Sequence, residues 1–174
     1  MNGWGHAGGR EDTVRPRRLV GVSRRPPNFI VRKHDREVVP MVKKVGPTTI
    51  LEKHRATCHC GAVVLELSLP DGIVNPRRCN CSICRRKGAV FAFVPLSGLR
   101  VLEGTEVLRV YQFNTMTAKH YFCSKCGIYT HHVRRINPNE YGYNVGCLEG
   151  VDPFDLGEVQ TLDGVHHPLD SRAP

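Results

Sequence analysis

Seven of the eight cysteines fall into three tight clusters: Cys58-His59-Cys60, Cys79-Asn80-Cys81-Ser82-Ile83-Cys84 and Cys123-Ser124-Lys125-Cys126. C-x-C and C-x-x-C pairs are strong zinc-ligand signals. Cys58, Cys60, Cys123 and Cys126 together make a four-sulfur tetrahedral set, which closes the shell of a structural ion. Gly61 and Gly127 follow the two pairs. A glycine there lets the backbone turn without a Cβ clash, so that N–H groups can point at sulfur. Cys79, Cys81 and Cys84 offer three thiolates within six residues. An ion wrapped by them keeps a vacant position, the mark of zinc that does chemistry. Such a site carries one net negative charge. It is a weak Lewis acid, suited to hold a fourth thiolate that stays nucleophilic. The expected complement is two Zn²⁺ per chain, one structural and one catalytic.

The residues around these clusters read less sharply. Arg85, Arg86 and Lys87 follow the three-cysteine run at once. They either offset its charge and grip the carboxylates of a thiol substrate, or form a solvated basic turn. His131 and His132 sit on a candidate strand, and alternation sends them to opposite faces. At most one of them could cap the metal. His59, Asn80 and His120 lie beside ligands and are candidate donors to sulfur. Cys147 stands alone and reads as a packed, inert thiol.

These clusters need a scaffold, and the chain divides unevenly to provide one. Residues 1–57 carry thirteen Lys+Arg against five Asp+Glu, and residues 58–174 carry twelve against eleven, so the net +9 belongs almost wholly to the N-terminal third. Any nucleic-acid binding would have to come from that third, because the cysteine-rich body is close to neutral. No run approaches the roughly 18 apolar residues of a membrane span, and no secretory signal is visible. Joining the thiols of a C-x-C unit would make a strained ring. Metal-bound thiolates in a reducing cytoplasmic setting fit better than a disulfide framework.

Residues 1–50, with Arg15-Pro16-Arg17-Arg18 and Arg24-Arg25-Pro26-Pro27, read as a disordered basic tail. Alternative readings are a true start at Met41 or a functional basic arm. Residues 51–170 form the expected zinc-binding domain. Alternation or apolar runs bounded by turn signals predict strands over 63–69, 90–94, 99–102, 107–113, 119–123, 127–133 and 140–145. No 12- to 18-residue helical stripe appears. The fold class is therefore mostly β, a small antiparallel domain with metal knuckles at its turns.

The stretches Cys58-His59-Cys60-Gly61-Ala62-Val63, Cys79-Asn80-Cys81-Ser82-Ile83-Cys84-Arg85, Tyr111-Gln112-Phe113-Asn114-Thr115 and Phe122-Cys123-Ser124-Lys125-Cys126-Gly127-Ile128 resemble the glutathione-dependent formaldehyde-activating enzyme family, which includes centromere protein V. The resemblance runs from about Cys58 to beyond Gly150. It implies a zinc-tethered fold of the Mss4-like type. It also implies a structural zinc on Cys58, Cys60, Cys123 and Cys126, and a catalytic zinc on Cys79, Cys81 and Cys84. The implied activity is that of a carbon–sulfur lyase, an S-(hydroxymethyl)glutathione synthase-like addition of glutathione to formaldehyde or another small aldehyde. Two further readings stand beside it: a non-catalytic zinc-stapled module that binds chromatin, nucleic acid or protein, as centromere protein V suggests, and a thiol-based metal or redox sensor.

Overall fold

The computed structural model describes residues 29–32 and 39–170. Most of the basic tail expected over 1–50 lies outside the described residues. The described chain is mostly β. Its largest sheet has seven strands, in the spatial order Leu108–Tyr111, Lys119–Cys123, Tyr129–Val133, Glu140–Asn144, Phe91–Pro95, Arg77–Cys79 and Gln160–Leu162. Every pairing in it is antiparallel except the last, in which Gln160–Leu162 runs parallel to Arg77–Cys79. A second sheet pairs Lys53–Thr57 and Leu99–Glu103 on either side of Val64–Ser68. A third sets Val39–Val42 between Phe29–Arg32 and Ile73–Val74. The described helix of α type is a single turn, Cys84–Lys87, closed by Gly88 at φ 63°.

Side-chain alternation explains most of these elements. Along Val64–Ser68 the apolar Val64, Leu65 and Leu67 are buried while Ser68 is exposed. The seven strands predicted from the sequence each coincide with an observed one, shifted by a few residues at the ends. Lys53–Thr57 carries the same pattern in disguise, with His54 and Ala56 inward and Lys53 and Arg55 outward. His54 is tolerated inside because Leu51 N–H donates to its Nδ1 at 3.2 Å and its Nε2 meets the Glu149 carbonyl at 3.1 Å.

The packed body reaches further toward the N-terminus than residue 51. Val42, Val45 and Ile50 are buried in the same core as Leu65, Leu67, Ile73, Val145 and Leu156. They were legible only as scattered apolar residues because their partners are distant in sequence: Val42 pairs with Ile73, and Met41 with Ile30 and Val74.

His131 and His132 fall on opposite faces of the Tyr129–Val133 strand, as alternation requires. His131 is buried, stacks on Tyr121 with ring centroids 4.3 Å apart, and meets the edge of Tyr141. Thr130 Oγ1 lies 3.0 Å from its Nδ1. Burial pushes its pKa down to about 4.

Two outcomes follow for stability. Ile50→Ala should cost about 2–5 kcal/mol in urea unfolding, whereas a dispensable tail would leave the midpoint unmoved. His131 is neutral when folded and titrates near 6.5 when unfolded. The unfolded chain therefore binds the extra proton between these values, and stability drains as pH falls from about 6.5 to about 4. His131→Phe should flatten that slope, by up to about 3 kcal/mol across the window.

Candidate metal centres

Two knuckles of the same local geometry build the closed centre. Gly61 N–H donates to the Cys58 carbonyl at 3.0 Å, and Gly127 N–H to the Cys123 carbonyl at 2.8 Å. Both glycines have φ of +74°, which a residue with a Cβ rarely adopts. Cys58 follows the Lys53–Thr57 strand and Cys123 ends the Lys119–Cys123 strand, so the cluster joins the second sheet to the seven-stranded one. The sulfurs of Cys58, Cys60, Cys123 and Cys126 all lie within 4.8 Å of one another. The Cys58–Cys60 and Cys60–Cys123 separations are 3.6 and 3.8 Å. Four sulfurs at about 2.3 Å from one ion in a tetrahedron stand about 3.8 Å apart, so the donor set fits Zn²⁺. The Val63 N–H points at the Cys58 sulfur from 3.2 Å. Burial nonetheless pushes the Cys58 thiol up to about 11. A cation would reverse that preference.

The second cluster sits at the end of Arg77–Cys79 and the start of the one-turn helix. The sulfurs of Cys79, Cys81 and Cys84 lie within 4.8 Å of one another, and among the described residues no fourth His, Cys, Asp or Glu joins them. Contacts with Cys79 and then Cys84 hold the Cys81 thiol down, while those from Cys79 and Cys81 push Cys84 up. Proximity thus lets one sulfur ionise at the expense of another. A divalent cation is what would let all three ionise together.

These three cysteines line a cleft of about 670 Å³, walled on its apolar side by Phe91, Phe93 and Phe113. Of the basic run, Arg85 lines this cleft. Arg86 turns back to donate to the Ser82 carbonyl at 2.6 Å. Lys87 points into the protein, with Nζ 2.9 Å from His120 Nδ1 and 3.7 Å from the centre of the Tyr129 ring. Its burial lowers its pKa to about 8, against the pull of Cys84 and Cys81. His132 and His120 border the cleft, their rings 5.5 Å apart. Burial, then the Lys87 charge, lowers His120 to about 4. Among the candidate donors to sulfur, His59 is exposed. Asn80 instead binds the chain at 163–165: its Oδ1 accepts from Gly164 and Val165 N–H at 2.7 and 3.1 Å. Cys147 is buried, its thiol 3.7 Å from the Tyr129 carbonyl and pushed up by burial to about 12.

Sequence reasoning missed the C-terminal contribution to this cleft. Asp163, Gly164, Val165, His167 and Asp170 line it. A Cβ on Gly164 would stand 2.5 Å from the Cys79 sulfur and 2.7 Å from the Cys81 Cβ, so this glycine lets the segment lie against the cluster. Asp163-Gly164 is a legible turn signal, but nothing local says what the turn packs upon.

The architecture is that of a small β protein with two cysteine centres, one closed and one open to a cleft. The chain belongs to the glutathione-dependent formaldehyde-activating enzyme family, whose pattern it matches over residues 53–158. It is also similar to a protein from Rhodobacter sphaeroides, a structural-genomics target solved by crystallography. The two are 60% identical, with a TM-score of 0.60, over 62% of this chain and 99% of that one.

The two centres separate in their expected response to mutation. Cys123→Ser should unfold the body or lower its melting temperature sharply, since a structural zinc contributes on the order of 10–16 kcal/mol in small modules. Cys81→Ser should keep the fold and lose one zinc equivalent. Circular dichroism with metal analysis checks both, and equal behaviour of the two variants would end the division into two sites.

Proposed function

We propose that the chain is a zinc-dependent carbon–sulfur lyase-type enzyme that adds a thiol such as glutathione to formaldehyde or a related small aldehyde. The observation that carries this reading is the open trio of sulfurs on Cys79, Cys81 and Cys84 at the wall of a cleft. Bound there, Zn²⁺ would offer a vacant position that lowers the pKa of a substrate thiol while leaving its sulfur nucleophilic.

The chain's own residues would do the remaining work. The cleft is of a size that encloses small organic ligands, and its phenylalanine side excludes water from the reacting carbonyl. Addition forms one carbon–sulfur bond and places charge on the carbonyl oxygen, which then takes a proton. Lys87 donates to Nδ1 of His120, so the ring's own proton resides on Nε2, a hydrogen-bond donor for that oxygen. Thiol addition to formaldehyde is quick without a catalyst, so the barrier left to lower is modest and holding the partners together supplies most of what is needed. Reduced thiolates in both centres fit a cytoplasmic setting.

The alternative, a zinc-stapled module binding chromatin or protein, draws on the net +8 of residues 1–57. Exchange spectroscopy of ¹³C-formaldehyde with glutathione separates the two. The enzyme should accelerate formation of the S-hydroxymethyl adduct, and Cys81→Ser should lose that acceleration at least tenfold. No acceleration, together with DNA binding that weakens steeply with salt, would favour the module.

A further inference from the structure

We infer that the carbonyl substrate of the open centre is an aldehyde with an apolar tail, received by Ile136 and Val165 at the cleft. This rests on the thiol-addition reading above and names the aldehydes it favours.

The large apolar side chains of the cleft are not equally engaged. Phe91 is buried. Arg134 lies over the Phe93 ring, and Phe113 is stacked between Tyr111 and His120. Ile136 and Val165 line the same cleft, yet they stay 52% and 57% exposed. A single exposed apolar residue needs no explanation, but here two reach one cleft from separate segments. Those segments are tied together: Arg135, next to Ile136, pairs with Asp170 at 2.7 Å. The Val165 side is fixed as well, because Asn80 Oδ1 accepts from the Gly164 and Val165 N–H groups.

Val165 also stands close to where a bond would form. A Cβ on Gly164 would lie 2.5 Å from the Cys79 sulfur, so the backbone there rests against the cluster. The Val165 Cα follows about 3.8 Å further along the chain. A group bonded to a sulfur held at the cluster therefore emerges beside Val165. In the addition, the thiol sulfur bonds to the carbonyl carbon, the carbon–oxygen π pair moves onto oxygen, and the proton lost from sulfur ends on that oxygen. The aldehyde's remaining substituent then hangs from the carbon next to sulfur. In formaldehyde that substituent is a hydrogen, which covers no apolar surface. An alkyl or aryl tail would take Ile136 and Val165 out of water. Val165 lies beyond residues 53–158, the stretch that carries the family pattern, so this wall is an addition to that pattern.

The test uses the full-length, zinc-loaded protein and two inert product analogues. S-methylglutathione and S-hexylglutathione are the adducts of formaldehyde and hexanal without their hydroxyl group. Each fully buried methylene strengthens binding about fourfold. Calorimetry should therefore show the hexyl compound binding at least about tenfold more tightly, the equivalent of roughly two buried methylenes. Val165→Asn and Ile136→Asn, both at exposed positions, should each erase most of that difference with zinc content unchanged. In turnover, both variants should lower kcat/KM for hexanal relative to formaldehyde several-fold, with glutathione as the thiol. Equal binding of the two analogues by the wild-type protein, or a preference that both variants keep, overturns the inference. So does faster turnover of 1-butanethiol with formaldehyde than of glutathione with hexanal, which would assign the tail to the thiol. Chain-selective binding without any acceleration of thiol addition would end the enzymatic reading while keeping the apolar site, and acceleration with formaldehyde alone would do the reverse.

Discussion

Four sulfurs cannot be brought into van der Waals contact inside a protein as four anions, and as four neutral thiols they attract one another only weakly. A cation would relieve both difficulties for the cluster of Cys58, Cys60, Cys123 and Cys126, and the cluster ties strands of two sheets together. Cys58 and Cys123 are buried and belong to the same core as Val63, Leu65 and Tyr143. Each stands at the end of a strand in a different sheet. The Ala56–Leu148 bridge is a further backbone link between the chain around Cys58 and the region beyond the Glu140–Asn144 strand. Coordination energy of the order expected for structural zinc is comparable with the whole stability of an ordinary domain. It does not depend on long, regular elements. That is consistent with a body made of strands of two to five residues.

The same ligand chemistry meets a different environment at Cys79, Cys81 and Cys84. Here all three sulfurs are half-buried and border a cleft, and no fourth sulfur closes the set among the described residues. What holds this loop is peripheral. A parallel strand pairing brings Leu162 alongside Cys79, Asn80 binds the backbone at Gly164 and Val165, and a helical turn begins at Cys84. The loop is thus positioned by hydrogen bonds that do not need the ion. The loop's position is thereby separate from whatever its sulfurs bind. Two clusters made from the same amino acid thus differ in their support, one set between strands of two sheets and the other held by local hydrogen bonds.

The parts legible in the sequence were those encoded locally. The C-x-C and C-x-x-C spacings with their following glycines describe knuckles within a handful of residues, and the period-two patterns of Val64–Ser68 and Leu108–Tyr111 need no partner to be seen. What escaped was encoded in distant pairings. Val42, Val45 and Ile50 look like stray apolar residues until Ile73 and Leu156 are set against them. Lys53–Thr57 hides its alternation because the inward residues are His54 and Ala56, neither of which signals burial. The direction of Lys87 was illegible for the same reason: its inward turn is fixed by His120 and Tyr129, more than thirty residues later in the chain.

Charge shows the limit most clearly. Counting placed the basic excess in residues 1–57 and made the body nearly neutral, which is correct as a sum. Yet the cleft beside the three cysteines is bordered by Arg77, Arg85, Arg134 and Arg135, drawn from segments that are separate in sequence. Their field is local because low-dielectric walls and partial burial limit its screening, and it is partly offset by Asp163 and Asp170, which line the same cleft, and by Glu140, which pairs with Arg134. A nearly neutral body can therefore gather four arginines at one cleft. Function follows from where the folded chain gathers its charges, a quantity that composition averages away and that only the pairing of strands distant in sequence makes visible.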